Sequence, residues 1–157
     1  HGVGVSTVCS ETEAGVIASA YATPLTRQIF IANPATGDFD ANSKNINDGD
    51  GVDAIEEFAR ATVIGQYAEV DFGGLYRIKK WRQYGHANNN EDGTWKIEYY
   101  LEAWHDWITG IFTRTAATWS TWSEETAVTA SKIRLVCTEV DSCAYNFIEE
   151  LQITFSE

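Results

Sequence analysis

The stretch Thr94–Glu102 constrains the chain most. Trp95, Ile97, Tyr99 and Leu101 alternate with Lys96, Glu98, Tyr100 and Glu102. A period of two places one set inside and the other outside on a strand, and no helix does this. Gln66–Phe72 repeats the pattern with Ala68, Val70 and Phe72 inward, and Gly73-Gly74 is expected to end it. In Tyr76–Tyr84 the alternation begins with Tyr76 and Ile78 and then slips, so that Trp81 rather than Lys80 faces inward. One extra residue near Lys79-Lys80, a β-bulge, accounts for the slip. Ile108–Thr115, Lys132–Val140 and Phe147–Phe155 are further strands, and Trp104–Trp107 is expected to be a turn. Ala54–Arg60 is expected to form one helical turn. Strands this short, with turn residues roughly every ten positions, predict an all-β, two-sheet antiparallel sandwich or jelly roll.

The chain of 157 residues suits one domain, with a core of its own from residue 42 onward and an N-terminal strand plus an irregular arm over residues 1–41. The formal net charge of -12 argues against nucleic acid, whose phosphates need a basic surface, and favours cations and neutral partners. No run approaches the ~20 apolar residues of a membrane-spanning helix. Met is absent, so His1 is expected to be a processed end or a boundary. Cys137 and Cys143 flank a loop short enough for a disulfide, which implies an oxidising, extracellular setting. The alternative is three buried free thiols, Cys9 among them.

Asn45-Ile46-Asn47-Asp48-Gly49-Asp50-Gly51-Val52-Asp53 cannot be a strand or a long helix. Asx side chains fold back on their own backbone and Gly supplies positive φ, so this is a tight, oxygen-rich loop. It is either a solvated acidic turn or a shell for a hard cation such as Ca²⁺. Glu149-Glu150 gives the second reading independent weight. Alternation breaks there, and a Glu turned inward needs a partner.

Read in order, the acidic loop, Val70-Asp71-Phe72-Gly73, Tyr76-Arg77-Ile78, Lys132-Ile133-Arg134-Leu135 and Ile148-Glu149-Glu150-Leu151-Gln152-Ile153 resemble the discoidin-like, galactose-binding-like modules. These include coagulation-factor type C domains and many carbohydrate-binding modules. The resemblance covers roughly residues 42–157 and leaves the first 40 unmatched. It implies a jelly roll, a binding site in loops at one end, and a structural Ca²⁺. By family position the calcium ligands are Asn45, Asp48, Asp50, Asp53 (where relatives often carry Thr) and Glu150.

Sugars are recognised by an aromatic ring under the C–H face and planar polar groups on the hydroxyls. Three clusters offer these groups: Tyr84, His86, Asn88 and Asn89; Trp104, His105 and Trp107; Trp119 and Trp122. Arg114 joins the candidates by loop position. Trp81 and Trp95 are core on their alternation. The basic run Arg77, Lys79, Lys80, Arg82 is expected to be an outer sheet face paired with acids. No Gly-x-Ser-x-Gly, HExxH or phosphate-binding Gly loop is present, so no enzyme activity is expected. The expectation is a non-catalytic, extracellular glycan-binding module. Its rival is a structural surface protein, a virion decoration or filament subunit. There the apolar side chains Leu25, Ile29, Phe30 and Ile31 of residues 1–40 would seat on another copy.

Overall fold

A computed structural model describes residues 31–33, 59–85, 93–114, 116–140, 146–148 and 150–156. Asn45, Asp48, Asp50, Asp53, His86, Asn88, Cys9 and Cys143 lie outside these, as do Ala14–Ala22 and most of the N-terminal arm. Among the described residues, eight strands follow in chain order: β1 Ile31–Asn33, β2 Ala59–Ala61, β3 Tyr67–Tyr84, β4 Thr94–Leu101, β5 Ala103–Phe112, β6 Ser123–Glu139, β7 Asn146–Ile148 and β8 Glu150–Ser156. All pair antiparallel, and the described residues hold no helix. The sheet runs β1-β3-β6-β4-β5, with β8 on β3; β2 and β7 pair separately.

The long strands explain the layers. β3 and β6 stay paired from Tyr67↔Val136 to Trp81↔Ser123. An 18-residue strand laid straight would span about 60 Å. Yet Gln83 Nε2, near the end of β3, donates to the Phe112 carbonyl at 2.9 Å. Phe112 is the partner of Thr94, and Thr94 of Glu139 at the other end of the ladder. The ladder therefore folds over on itself. The corner is the register break between Asp71 and Tyr76. Gly73 sits there at φ 75°, and its N–H donates to Asp71 Oδ1 at 2.9 Å. Gly73-Gly74, expected to end a strand, instead lets one strand turn from one layer into the other.

One layer is thus the first half of β3 with β1, the second half of β6, β4 and β5. The other is the second half of β3 with the first half of β6 and β8. Val70, Trp95, Ile97, Ile133 and Leu135 of the first layer and Ile78, Leu151 and Ile153 of the second are buried in one core. The slip at Lys79-Lys80 is present: the β3–β6 register breaks between Ile78 and Lys80, and the β3–β8 register between Ile78 and Trp81. Trp81 packs on the core and donates to Glu125 Oε1 at 3.0 Å.

Other expectations change. Trp104–Trp107 is not a turn but part of β5; the chain reverses at Leu101–Ala103, with Glu102 at φ 62°. Phe147–Phe155 is divided between β7 and β8. The helical turn fails at its end, because Ala59 and Arg60 are strand. Ile31–Asn33 pairs with Tyr67–Glu69, so the arm's last residues cover a sheet edge of their own chain.

Of the expected Cys137–Cys143 pair, only Cys137 lies among the described residues. Cys137 is a free, buried thiol. Its side chain faces the core, where Asn146 Nδ2 donates to it at 3.6 Å and the thiol itself donates to the Glu139 carbonyl at 3.5 Å. Burial pushes the thiol above its ordinary pKa. Asn146, fully buried, also donates to the carbonyls of Thr94 at 2.8 Å and Glu139 at 3.1 Å and accepts from the Thr113 hydroxyl. This side chain ties β7 to the ends of β4 and β6 and to the residues after β5.

Candidate ligand-binding end

The fold-over brings the end of β3 beside the segment that joins β5 to β6. That segment, Thr113–Trp122, carries no acid, although the chain's net charge is -12. It is fastened by polar contacts. Gln83 and Ser120 exchange bonds: Ser120 N–H donates to the Gln83 carbonyl at 2.8 Å, and Gln83 N–H to Ser120 Oγ at 3.0 Å. The Tyr84 hydroxyl donates to the Ala117 carbonyl at 2.8 Å. Arg114 donates from Nε and Nη2 to the Thr118 carbonyl and hydroxyl at 2.7 and 2.6 Å, holding the loop across its own turn. Gly85 lies under this loop. A Cβ there would stand 2.5 Å from the Ala116 carbonyl and collide with that of Arg114, so the loop rests directly on the glycine backbone.

The aromatic groups form a stack. The Tyr84 ring meets Trp119 edge-to-face, centroids 5.3 Å apart. The Arg82 guanidinium lies 4.2 Å from the Trp119 ring centroid and 4.6 Å from that of Trp122. Arg82 Nε donates at 2.7 Å to Oε1 of Gln152, which β8 holds almost fully buried. Trp119 is half-buried between Tyr84 and Arg82, whereas Trp122 is 38 % exposed. Phe112, just before the loop, is 68 % exposed. Among the described residues, the exposed aromatic surface at this end is Trp122 and Phe112, with Trp119 as a support.

Of the residues singled out in the sequence, Tyr84, Arg114, Trp119 and Trp122 come together here. Trp104 does not. It pairs with Tyr100, six residues along β4 from the Thr94↔Phe112 pair and about 20 Å away. There it contacts Tyr100 edge-to-face and lies under the Arg134 guanidinium, 4.1 Å from its ring centroid. Trp107 packs on the core and donates to the Thr126 carbonyl at 2.9 Å. Glu150 is 1 % exposed and pairs with Tyr84 across β8 and β3, directly beneath this end. Sequence reasoning missed Arg82, Gln152 and Phe112. The expected pairing of the basic run with acids is seen for Lys79 and Lys80 against Glu124, at 2.8 and 3.7 Å. The signal for Arg82 was the Trp-x-x-Trp spacing, which leaves a gap that a planar cation on the next strand can fill.

Layers, topology and loop end together define a galactose-binding-like β-sandwich. Solved structures agree. CpGH89CBM32-5 from Clostridium perfringens, in complex with GalNAc-β-1,3-galactose, superposes with a TM-score of 0.61 at 16% identity over 80% of this chain and 94% of that one. The family 32 carbohydrate-binding module of Clostridium perfringens NanJ, in complex with galactose, gives 0.59 at 12% identity over 80% and 92%. The CBM32 of AlyQ, in complex with 4,5-unsaturated mannuronic acid, gives 0.56 at 20% identity over 69% and 82%. No protein-family model and no curated protein matches the sequence.

Proposed function

We propose that this chain is a non-catalytic glycan-binding module of an extracellular or surface protein. The observation that carries the proposal is the Trp122 ring, 38 % exposed at one end of the sandwich with the Arg82 guanidinium against it. Such a ring seats the C–H face of a pyranose, and planar donors beside it take the hydroxyls. Structures of the same fold were solved with sugars bound. His86 and Asn88 follow Gly85 directly in sequence and are the next candidates for hydroxyl contacts.

The proposal includes one structural Ca²⁺, held by Glu150 with Asn45, Asp48, Asp50 and Asp53. What supports it is the depth of Glu150, since a carboxylate that far from water requires compensation. The ion would fasten the acidic loop to β8 beneath the binding end. A glycan array probed with the full chain, with millimolar calcium and with chelator, tests both parts. Binding to a defined set of glycans is expected, with a higher melting temperature in calcium. A ligand at one hundred times its dissociation constant stabilises the folded state by about 2.7 kcal/mol. No glycan bound, together with large assemblies by size exclusion, would favour a structural subunit. Equal melting temperatures with calcium and with chelator would remove the ion.

A further inference from the structure

The loop Thr113–Trp122 carries the exposed ring, and the contact that holds this ring comes from β3. The Arg82 guanidinium lies against the Trp122 ring and also against that of Trp119. From the geometry we infer that Arg82 is the positioning residue of this end. Its guanidinium, oriented by Gln152, sets the separation and tilt of the two indoles and so the surface Trp122 presents to ligand.

Three features support this role. First, the guanidinium is planar and offers a face to each indole at once, which an ammonium cannot. Second, its rotation is fixed from inside the fold, because Gln152 is 2 % exposed and sits on β8, a strand paired with β3. Third, the partner rings are three residues apart on one short segment, and Tyr84 supports Trp119 from beyond. The order from core to surface is Gln152, Arg82, then the two indoles. Arg82 acts on ligand through Trp122 and is not assigned a contact of its own.

The test uses the full chain and the variants Arg82→Lys, Trp119→Phe and Trp122→Phe. The two Trp variants identify the near-ultraviolet circular dichroism band that the stacked indoles produce. Arg82→Lys keeps the charge and loses the plane. It is expected to fold with a melting temperature lowered by no more than about 4 °C, to lose that band, and to bind the array-selected glycan about tenfold more weakly. Tenfold corresponds to about 1.4 kcal/mol, within the range of two cation–π contacts. Retention of both band and affinity would overturn the inference, and so would loss of the band with affinity intact. Should Arg82→Lys fail to fold, Gln152→Met keeps side-chain length, removes the acceptor, and is expected to weaken band and affinity in the same direction; no change there would also overturn it. The binding arm rests on the glycan reading. If wild type binds no glycan that reading falls, and the dichroism arm still decides whether Arg82 orders the indoles.

Discussion

Among the described residues, two arginine–aromatic stacks sit on this sandwich, and they differ in which elements supply them. On the outer face of the first layer, Arg134 of β6 lies between Tyr67 of β3 and Trp104 of β5, 4.6 and 4.1 Å from the ring centroids. Its Nε donates to the nearly buried carboxylate of Glu98 on β4, which Lys96 also reaches at 2.6 Å, and Lys96 extends to Asp106 at 2.9 Å. Four paired strands supply this network, and every member is fixed by register. At the loop end, the Arg82 guanidinium lies against two tryptophans of one segment and donates to the Gln152 side chain. The same contact chemistry stiffens a frame in one place and aims a surface in the other. A stack laced by a charge-assisted bond between adjacent strands is frame. A stack whose rings come from a loop, with one ring 38 % exposed, is available to a ligand.

The largest difference should appear on removing the frame arginine. Arg134→Ala leaves Glu98 poorly compensated and strips one face from Tyr67 and Trp104. A loss of about 3 kcal/mol in urea unfolding is expected, with glycan affinity of the folded fraction unchanged. A change in affinity without a change in stability would reverse the roles assigned to the two stacks.

Gly85→Ala sharpens the comparison from the other side. The added methyl meets loop carbonyls rather than a flexible side chain, so the loop is displaced. About 2 kcal/mol of destabilisation should accompany a loss of glycan binding disproportionate to it. Wild-type affinity would show that the loop does not rest on this glycine.

The smallest effect concerns the rim of the frame network. The hydrogen bond from Lys96 holds the Asp106 carboxyl below its ordinary value of 3.8, and its bonds to Glu98 and Asp106 hold Lys96 above 10.5. The Asp106 contribution is therefore present above pH 3.8 and fades as pH falls through the depressed folded value. That of Lys96 is present below pH 10.5 and fades as pH rises through its raised one. Asp106 is more than half exposed, so Asp106→Asn should cost under about 1 kcal/mol at neutral pH. The wild-type–mutant difference should shrink towards pH 3, and a constant difference across that range would exclude the ion pair as its source.

The frame was largely legible in the sequence because it is local. Alternation in Thr94–Glu102 identified Trp95 and Ile97 as core, and its slip at Lys79-Lys80 located a true register break. The fold-over at Gly73-Gly74 was not legible. Two glycines mark a turn, but only the pairing of β3 with β6 on both sides shows that the strand continues. Trp104 was misplaced because Trp-His-Asp-Trp carries polar groups typical of a turn, while on β5 those groups answer Tyr99, Tyr100 and Glu98 across the ladder. At the proposed binding end, loop chemistry singles out Tyr84, Arg114, Trp119 and Trp122, which the fold brings together. Arg82 and Gln152 are not singled out, since their contact joins β3 to β8 across about seventy residues. Loop length suggests Cys137 as half of a disulfide with Cys143, which lies outside the described residues; the pattern of β6 places the Cys137 side chain in the core.

The central claim is that ligand meets the loop-end stack and not the sheet-face stack. Titrating the array-selected glycan into wild type, Trp122→Ala and Trp104→Ala by calorimetry tests it most directly. The account predicts that Trp122→Ala abolishes measurable binding and that Trp104→Ala binds as wild type does. Loss of binding in Trp104→Ala with retention in Trp122→Ala would contradict it.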